Sequence, residues 1–419
     1  MKTRQKIVPQ NDLKYLRQAI GLARRGYGTT SPNPRVGAVL VKGGKVIGRG
    51  WHRRAGLPHA EIEALRDAQK RRQDPRGAVF YVTLEPCCTH GRTPPCTDVI
   101  IAAGIKRVVA GTVDPNPKHA GRAFKILRRA GIEVVWWGET PSSPNQRTKK
   151  SGLQRLSPHR VLADNCKKLN EAFNHWIVHR TPFVIVKAAM TLDGKIATAG
   201  GESKWITGEA ARACGMKLRR GADAILVGIN TILADNPGLT VRSAQSPKSK
   251  VQSLRLRRII LDSLARTPLS AKVVSDQSVA LTTIVVSKRA PKRRVAALAK
   301  RVNVLVAPIK KVGRVSSRAA LPGASPCRQI DLRWLMRKLG AEAVTSLLVE
   351  GGGEVNASFL LAGLAHRVAF FYAPKILGGR DARKAVAGKG AKSLAEAIQL
   401  HDVEWKRIGP DLLLTARVS

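Results

Sequence analysis

The chain has 419 residues, enough for two or three domains that each bury their own core. No stretch approaches the length of a membrane-spanning helix, and the opening "MKTRQKIVPQNDLKYL" has no apolar segment of the kind an export signal needs, so a cytoplasmic protein is expected. Lys and Arg number 74 against 28 acids, a net charge of +46 that raises nucleic acid as a partner, but aromatics are only 4% and no aromatic-interleaved stacking pattern is present, so the excess reads as a solvated basic surface.

In chain order, residues 12–26 read as a helix and 35–52 as a hairpin turning at "KGGK". A helix follows at 59–71, then strands at 78–85, 107–113 and 133–137 alternating with helices at 96–103 and 122–130. That order predicts an α/β layer domain with helices on both faces, over residues 1–140. The run "GETPSSPNQRTKKSGLQRLSPHR" is polar and basic with Ser, Pro and Gly, the composition of a linker. A helix from about 161 to 178 leads on from it, so 141–180 reads as linker and connecting helix. A second α/β domain fills 181–419, with strands at "FVIVKAAM", "DAILVG", "RRIILD", "TTIVVS", "NVLVAP", "SLLVEGG" and "RVAFFYAP" and a terminal hairpin in "VEWKRIGPDLLLTARV". Basic inserts at 141–160, 243–254 and 309–328 read as lengthened loops.

The densest chemistry is in "EPCCTHGRTPPC", residues 85–96. Cys87 lies just past a strand end, and Cys96 in the first turn of a helix, where exposed N–H groups and the dipole stabilise a thiolate. Adjacent Cys87 and Cys88 point their side chains apart, so Cys88 is expected to take no part, and His90 sits in a Gly/Pro loop better suited to touch a ligand. Upstream, "PHAE" places His59 at a helix start with Glu61 two residues on, where the first side chain is not yet helical and both can enter one cleft. His59, Cys87 and Cys96 are thus expected to hold Zn2+ with Glu61 as a non-ligating proton shuttle, the pattern of zinc deaminases. Three protein ligands leave a fourth position for water, which zinc acidifies to a pKa of about 7. Cys88, Cys166, Cys214 and Cys327 have no ligand neighbours and read as inert thiols. Six cysteines in a chain this long, two of them on zinc, suit a reducing compartment.

Eight residues separate Cys87 from Cys96 where the common spacing is two. With "SPNPRVGAVLV", "PHAE", "TLEPCCTHGRTPPCTD" and "DPNPKHAGR", this makes the chain similar to the bifunctional riboflavin-biosynthesis deaminase–reductases, over nearly its whole length. The resemblance implies a cytidine-deaminase-like α/β/α layer domain followed by a dihydrofolate-reductase-like α/β domain. It implies two reactions, zinc-dependent removal of an amine from a diaminopyrimidinone ribosyl phosphate and NADPH-dependent reduction of the ribosyl to a ribityl chain. Asn33, His90 and Arg92 would contact the first substrate; Asn33, between two prolines, is equally well placed as a turn residue.

The second domain has marks of its own. "LLVEGGGEVNASFLLAGL" is a strand, a glycine turn and a helix, a place where backbone N–H groups can receive phosphate, although tight packing could equally demand those glycines. "VKAAMTLDGKIATAGGESKWITG" and "GINTILADNPGLTVR" resemble the reductase half of the same family. By that resemblance Ala189, Trp205, Thr231, Asp235, Ser263 and the turn Gly352, Gly353, Glu354, Val355, Asn356, Ala357, Ser358 would line the NADPH site. Lys187, Ser203, Arg219, Leu239, Arg242 and Glu350 would hold the reductase substrate, with Arg219 and Arg242 as phosphate clamps. The expected partner is therefore a small phosphorylated pyrimidine, with no membrane, and a homo-oligomer is compatible with the sequence. The competing reading is a tRNA or other nucleic-acid adenosine or cytidine deaminase with a basic RNA-binding C-terminal region. Such a tail has no need of "AMTLDGKIA" or "VEGGG", which favours the two-reaction enzyme.

Overall fold

The computed structural model describes residues 10–90, 94–137, 157–241, 256–308 and 330–419. The chain divides into two compact units, Met1–His179 and Arg180–Ser419. No described helix is long and apolar enough to cross a membrane.

The first unit runs α1 (Gln10–Ala23), β1 (Gly37–Lys42), β2 (Lys45–Trp51), α2 (Ala60–Lys70), β3 (Val79–Val82), α3 (Cys96–Ala102), β4 (Arg107–Ala110), α4 (Arg122–Arg129), β5 (Glu133–Trp136), α5 (Pro158–Leu169) and α6 (Glu171–His179). Its five strands lie in the order β2-β1-β3-β4-β5. The hairpin strand β1 is antiparallel to both neighbours, and the β3–β4–β5 ladder is parallel. Each strand alternates between two cores, as a sheet covered on both faces must. Ala38, Leu40, Phe80, Val82 and Val108 meet Ala60, Ala64 and Ala68 of α2 on one face. Val39, Val41, Tyr81 and Val109 meet Leu16 and Ile20 of α1 on the other. Small residues let α2 lie almost on the backbone of β2: a Cβ at Gly50 would stand 2.2 Å from the Ala60 carbonyl oxygen.

The single helix expected at 161–178 is two helices broken at Asn170. Its side chain accepts from the Arg35 N–H at 2.7 Å and donates to the Arg35 carbonyl at 3.0 Å, a tertiary bond that outweighs helical continuity. Leu162, Cys166 and Leu169 of α5 are buried in the same core as α1. The connecting segment from Ser157 on is therefore part of the first compact unit. The remainder of the first insert lies outside the described residues, as do those at 243–254 and 309–328.

The second unit runs β6 (Phe183–Thr191), β7 (Lys195–Ala197), α7 (Glu209–Arg220), β8 (Ala224–Gly228), α8 (Ile229–Asp235), β9 (Arg257–Leu261), α9 (Lys272–Ser275), β10 (Thr282–Ser287), α10 (Lys292–Ala299), β11 (Asn303–Ala307), α11 (Leu332–Ala341), β12 (Ser346–Val349), α12 (Gly353–Leu361), β13 (Arg367–Ala373), β14 (Arg383–Lys384), β15 (Leu400–Ile408) and β16 (Asp411–Val418). Nine strands form one sheet in the order β11-β10-β9-β8-β12-β6-β13-β16-β15. From β11 to β13 every pairing is parallel, and β16 and β15 close the sheet antiparallel. Leu226, Val186 and Val349 point to a core completed by Leu335, Leu339 and Phe359, while Ile225, Val227, Ile260 and Val286 point to the opposite one with Ile232 and Leu298. Late in the chain, β12 inserts between β8 and β6, so the strand order changes direction there, which in open α/β sheets marks the crevice that takes a ligand.

Candidate active sites

His59 is the N-cap of α2 with an extended backbone, φ −71 and ψ 165, so its ring projects beyond the helix start. Its Nδ1 lies 3.5 Å from Cys87 Sγ and 3.4 Å from Cys96 Sγ. The three ligand atoms all fall within 4.8 Å of one another, the only such group of three or more His, Cys, Asp or Glu among the described residues. Cys96 opens α3, and its backbone N–H donates to Cys87 Sγ at 3.3 Å. The side-chain bond from the Cys96 thiol, helped by His59 and by that backbone N–H, lowers the Cys87 pKa and favours the thiolate. One imidazole nitrogen and two sulfurs are a donor set that fits zinc.

Glu61, in the first turn of α2, is only 3% exposed, and burial pushes its carboxyl up to about 7. A carboxyl poised near neutrality can both take and return a proton. Cys88 turns away from the cluster, its Sγ 3.5 Å from His119 Nδ1. His90 is exposed, and Arg92 lies outside the described residues.

Asn33 is held by a residue that the sequence did not single out. Its Nδ2 lies 3.2 Å from His52 Nε2, while His52 Nδ1 lies 3.0 Å from the Pro58 carbonyl. Burial lowers the His52 pKa, and the two contacts suit a neutral ring that donates from Nδ1 to the Pro58 carbonyl and accepts at Nε2 from Asn33. The His52 ring also stands edge-on to His59, with centroids 5.4 Å apart. A lone histidine in "GWHRRAG" has no spacing signal; only the folded hairpin brings it to the metal ligand. Glu85, also buried, braces the segment behind Cys87 by accepting from the N–H groups of Asp114, Gly121 and Ala123 at 2.9 to 3.0 Å.

In the second unit, Glu350 leaves the carboxyl end of β12 and meets two cations. Arg219 on α7 reaches it with two bonds of 2.8 Å, and Lys187 on β6 lies 3.6 Å away. The register makes this natural, since Val349 pairs with Val186, one step before each of those residues. Arg219 also donates to the Thr240 carbonyl at 3.3 Å, beside Leu239, which is buried and left-handed at φ 51. Lys187, Arg219, Leu239 and Glu350 therefore converge. Burial alone would raise the Glu350 carboxyl, but the Lys187 charge and the Arg219 bonds outweigh it and hold the group at about 2.

The residues that the resemblance assigns to NADPH are spread over several elements of this unit. Ala189 shares a face of β6 with Lys187, and Ser263 follows β9. Thr231 and Asp235 lie on α8, whose start adjoins α12: a Cβ at Gly228 would stand 2.9 Å from Val355 Cγ2. Lys204 Nζ lies 3.8 Å from Asp235, and its neighbour Trp205 is 65% exposed with the Arg212 guanidinium 4.6 Å from its ring centroid. In the glycine turn, Gly352 caps α12 and nothing lies within 4 Å of where its Cβ would be, which leaves a cradle at the helix N-terminus that suits a phosphate. Its neighbours are glycines for packing, since a Cβ at Gly353 would strike the Lys384 carbonyl and one at Gly351 the Val355 side chain. Glu354, Asn356, Ala357 and Ser358 engage protein: Asn356 donates to the Ala385 carbonyl at 2.8 Å, Glu354 accepts from the Gly388 N–H at 3.3 Å, Ser358 donates to the Glu354 carbonyl at 2.7 Å, and Ala357 is buried against Gly388. Arg242 lies outside the described residues.

Two family models match the chain: the cytidine and deoxycytidylate deaminase zinc-binding region over residues 9–112, and the RibD C-terminal domain over residues 182–414. The chain is 40% identical to the riboflavin biosynthesis protein RibD of Actinobacillus pleuropneumoniae over 403 residues, 96% of this chain and 94% of that one. It is 36% identical to the Escherichia coli (strain K12) RibD, with 96% and 98% covered. Among solved structures, Acinetobacter baumannii RibD matches with a TM-score of 0.76 at 32% identity, covering 98% of this chain and 99% of that one. A Thermotoga maritima diaminohydroxyphosphoribosylaminopyrimidine deaminase/5-amino-6-(5-phosphoribosylamino)uracil reductase matches with a TM-score of 0.74 at 32% identity and the same coverage.

Proposed function

The chain belongs to the RibD family of riboflavin-biosynthesis enzymes, and from that premise we propose which of its residues perform the two reactions. The first is hydrolytic deamination of 2,5-diamino-6-(5-phosphoribosylamino)pyrimidin-4-one. The second is NADPH-dependent reduction of the ribosyl to the ribityl side chain. The observation that carries the assignment is that each unit holds its own constellation: His59, Cys87 and Cys96 beside buried Glu61 in one, and Lys187, Arg219 and Glu350 at a strand-end crevice in the other. The nucleic-acid deaminase reading is not favoured, because residues 182–414 match the RibD C-terminal domain.

In the first unit His59, Cys87 and Cys96 would hold zinc, which when bound supplies the Lewis acidity that makes water a nucleophile at neutral pH. Glu61 takes a proton from the attacking water and returns it to the departing amine, so ammonia leaves and the ring keeps a carbonyl oxygen. Asn33, oriented by His52, offers its free amide edge to the pyrimidine ring. In the second unit NADPH supplies the hydride. Glu350 holds Lys187 close, and Lys187 polarises the sugar carbon that accepts the hydride. Gly352 and the start of α12 receive a phosphate of the nucleotide.

Thiolate ligands and NADPH both suit a reducing cytoplasm. The test is to give the purified chain the diaminopyrimidinone phosphate with and without NADPH. Ammonia should appear in both reactions and NADPH oxidation only after deamination; oxidation without ammonia release would overturn the proposed order.

A further inference from the structure

The first unit contains a second concavity that neither reaction uses. It has a volume of about 300 Å³ and lies where the edge strand β2 meets α2 and the end of α1. Six of its lining side chains are cations, Arg25, Arg49, Arg53, Arg66, Lys70 and Arg71, against only two carboxylates, Glu63 and Asp67. On α2 the lining residues 63, 66, 67 and 70 recur at helical spacing and form one stripe, whereas Glu61 is buried beneath the helix.

Both carboxylates are already engaged. Glu63 lies 3.0 Å from Arg53 and 3.5 Å from Arg66, and Asp67 lies 3.0 Å from Arg71 while also accepting the Arg49 backbone N–H at 2.8 Å. No carboxylate lies within ion-pair distance of Arg25, Arg49 or Lys70 among the described residues, and all three are exposed. The indole of Trp51 lines the same space, with the Arg25 guanidinium at 4.9 Å and that of Arg53 at 4.4 Å from its centroid. Stacking on an aromatic face fixes a guanidinium plane while leaving its N–H edge free to bond an anion.

We propose that this cavity binds the oligophosphate group of a small anionic ligand. Several cations ring one concavity, which concentrates charge on a compact group bearing more than one negative charge, and guanidinium forks match phosphate oxygens two at a time. The volume is at the lower end of that found for small-molecule sites. An extended polynucleotide would instead need a track of cations along the surface.

The test is calorimetric titration of the full chain with inorganic tripolyphosphate and, separately, with ATP, under saturating NADPH so that the reductase crevice is filled. The expected result is saturable binding of one equivalent of tripolyphosphate, at least tenfold weaker in the double variant Arg49→Ser/Lys70→Ser. That variant should keep its zinc content and its rate of ammonia release. If ATP binds more tightly than tripolyphosphate and the excess disappears in Trp51→Leu, the ligand carries a flat ring that uses the indole; equal binding assigns the site to the phosphate chain alone. Tripolyphosphate binding that is unchanged in the double variant overturns the proposal. So does the absence of tripolyphosphate binding while a single-stranded oligonucleotide saturates the wild-type chain.

Discussion

Arg219 and Glu350, 131 residues apart, form a two-pronged ion pair in which guanidinium Nε and Nη2 each donate a 2.8 Å bond to a separate carboxylate oxygen. With a third bond to the Thr240 carbonyl, much of the donor capacity of Arg219 is spent on protein. Arg219 therefore fixes Glu350 as much as it offers charge to a substrate phosphate. Replacing Arg219 with Ala is expected to weaken substrate affinity in the reductase step by roughly ten- to hundredfold, the loss of a charge-assisted contact of about 1.5–3 kcal/mol. It should also destabilise the second unit. Arg219→Lys should fail to restore either, because one ammonium cannot make two parallel bonds. Steady-state NADPH kinetics and thermal unfolding of both variants check this.

The same pair sets a pH dependence. The folded-state carboxyl of Glu350 sits at about 2, below its ordinary value of 4.5. Its depression contributes stability that is fully present above the ordinary value and is lost as pH falls from there through the folded value. The stability gap between wild type and Glu350→Gln should therefore be constant above about pH 5 and shrink as pH drops below about 4.5. Denaturant unfolding of the two proteins at stepped pH measures it; a gap that widens on acidification contradicts the assignment.

Zinc content discriminates among the sulfurs. Cys96 and Cys87 both lie against His59, whereas Cys88 faces His119. Cys96→Ser should lose most of the metal and Cys88→Ser should keep it. Equal loss in both variants would show that the ligand set is misassigned.

Much of the first site was legible because its ligands follow a spacing that chemistry imposes, with His59 and Glu61 at a helix start and Cys87 and Cys96 at a strand end and a helix start. The strands of both sheets were legible because central strands buried on both faces are runs of Val, Ile and Leu. Elements that depend on distant partners were not. Asn170 sits in a continuous helical pattern and breaks it only because Arg35 offers a better hydrogen-bonding arrangement. The ladder of β7 with β14 is two or three residues long, too short to show alternation. Helices such as α7, "EAARACGMKLRR", mix basic and small residues and offer few large apolar side chains to mark a helical period. Lys187, Arg219 and Glu350 could be named from resemblance, but their mutual contact is created by β12 entering between β8 and β6.

His52 supplies a test of positioning. Exchange for Phe preserves a ring beside His59 but removes the acceptor for Asn33. The deaminase KM should rise about fivefold, the value of one neutral hydrogen bond near 1 kcal/mol, with kcat less affected. Zinc content should stay at the wild-type level; its loss would mean that His52 serves the metal ligand rather than Asn33.

The central claim is that two complete and separate chemical sites share one chain, and Glu61→Gln tests it most directly. The amide keeps the shape of the buried side chain but removes the proton shuttle, so ammonia release from the diaminopyrimidinone phosphate should fall by about two to four orders of magnitude. The same protein, still folded and still loaded with zinc, should oxidise NADPH at a nearly normal rate when given the already deaminated intermediate. Loss of NADPH oxidation on that supplied intermediate would contradict the account.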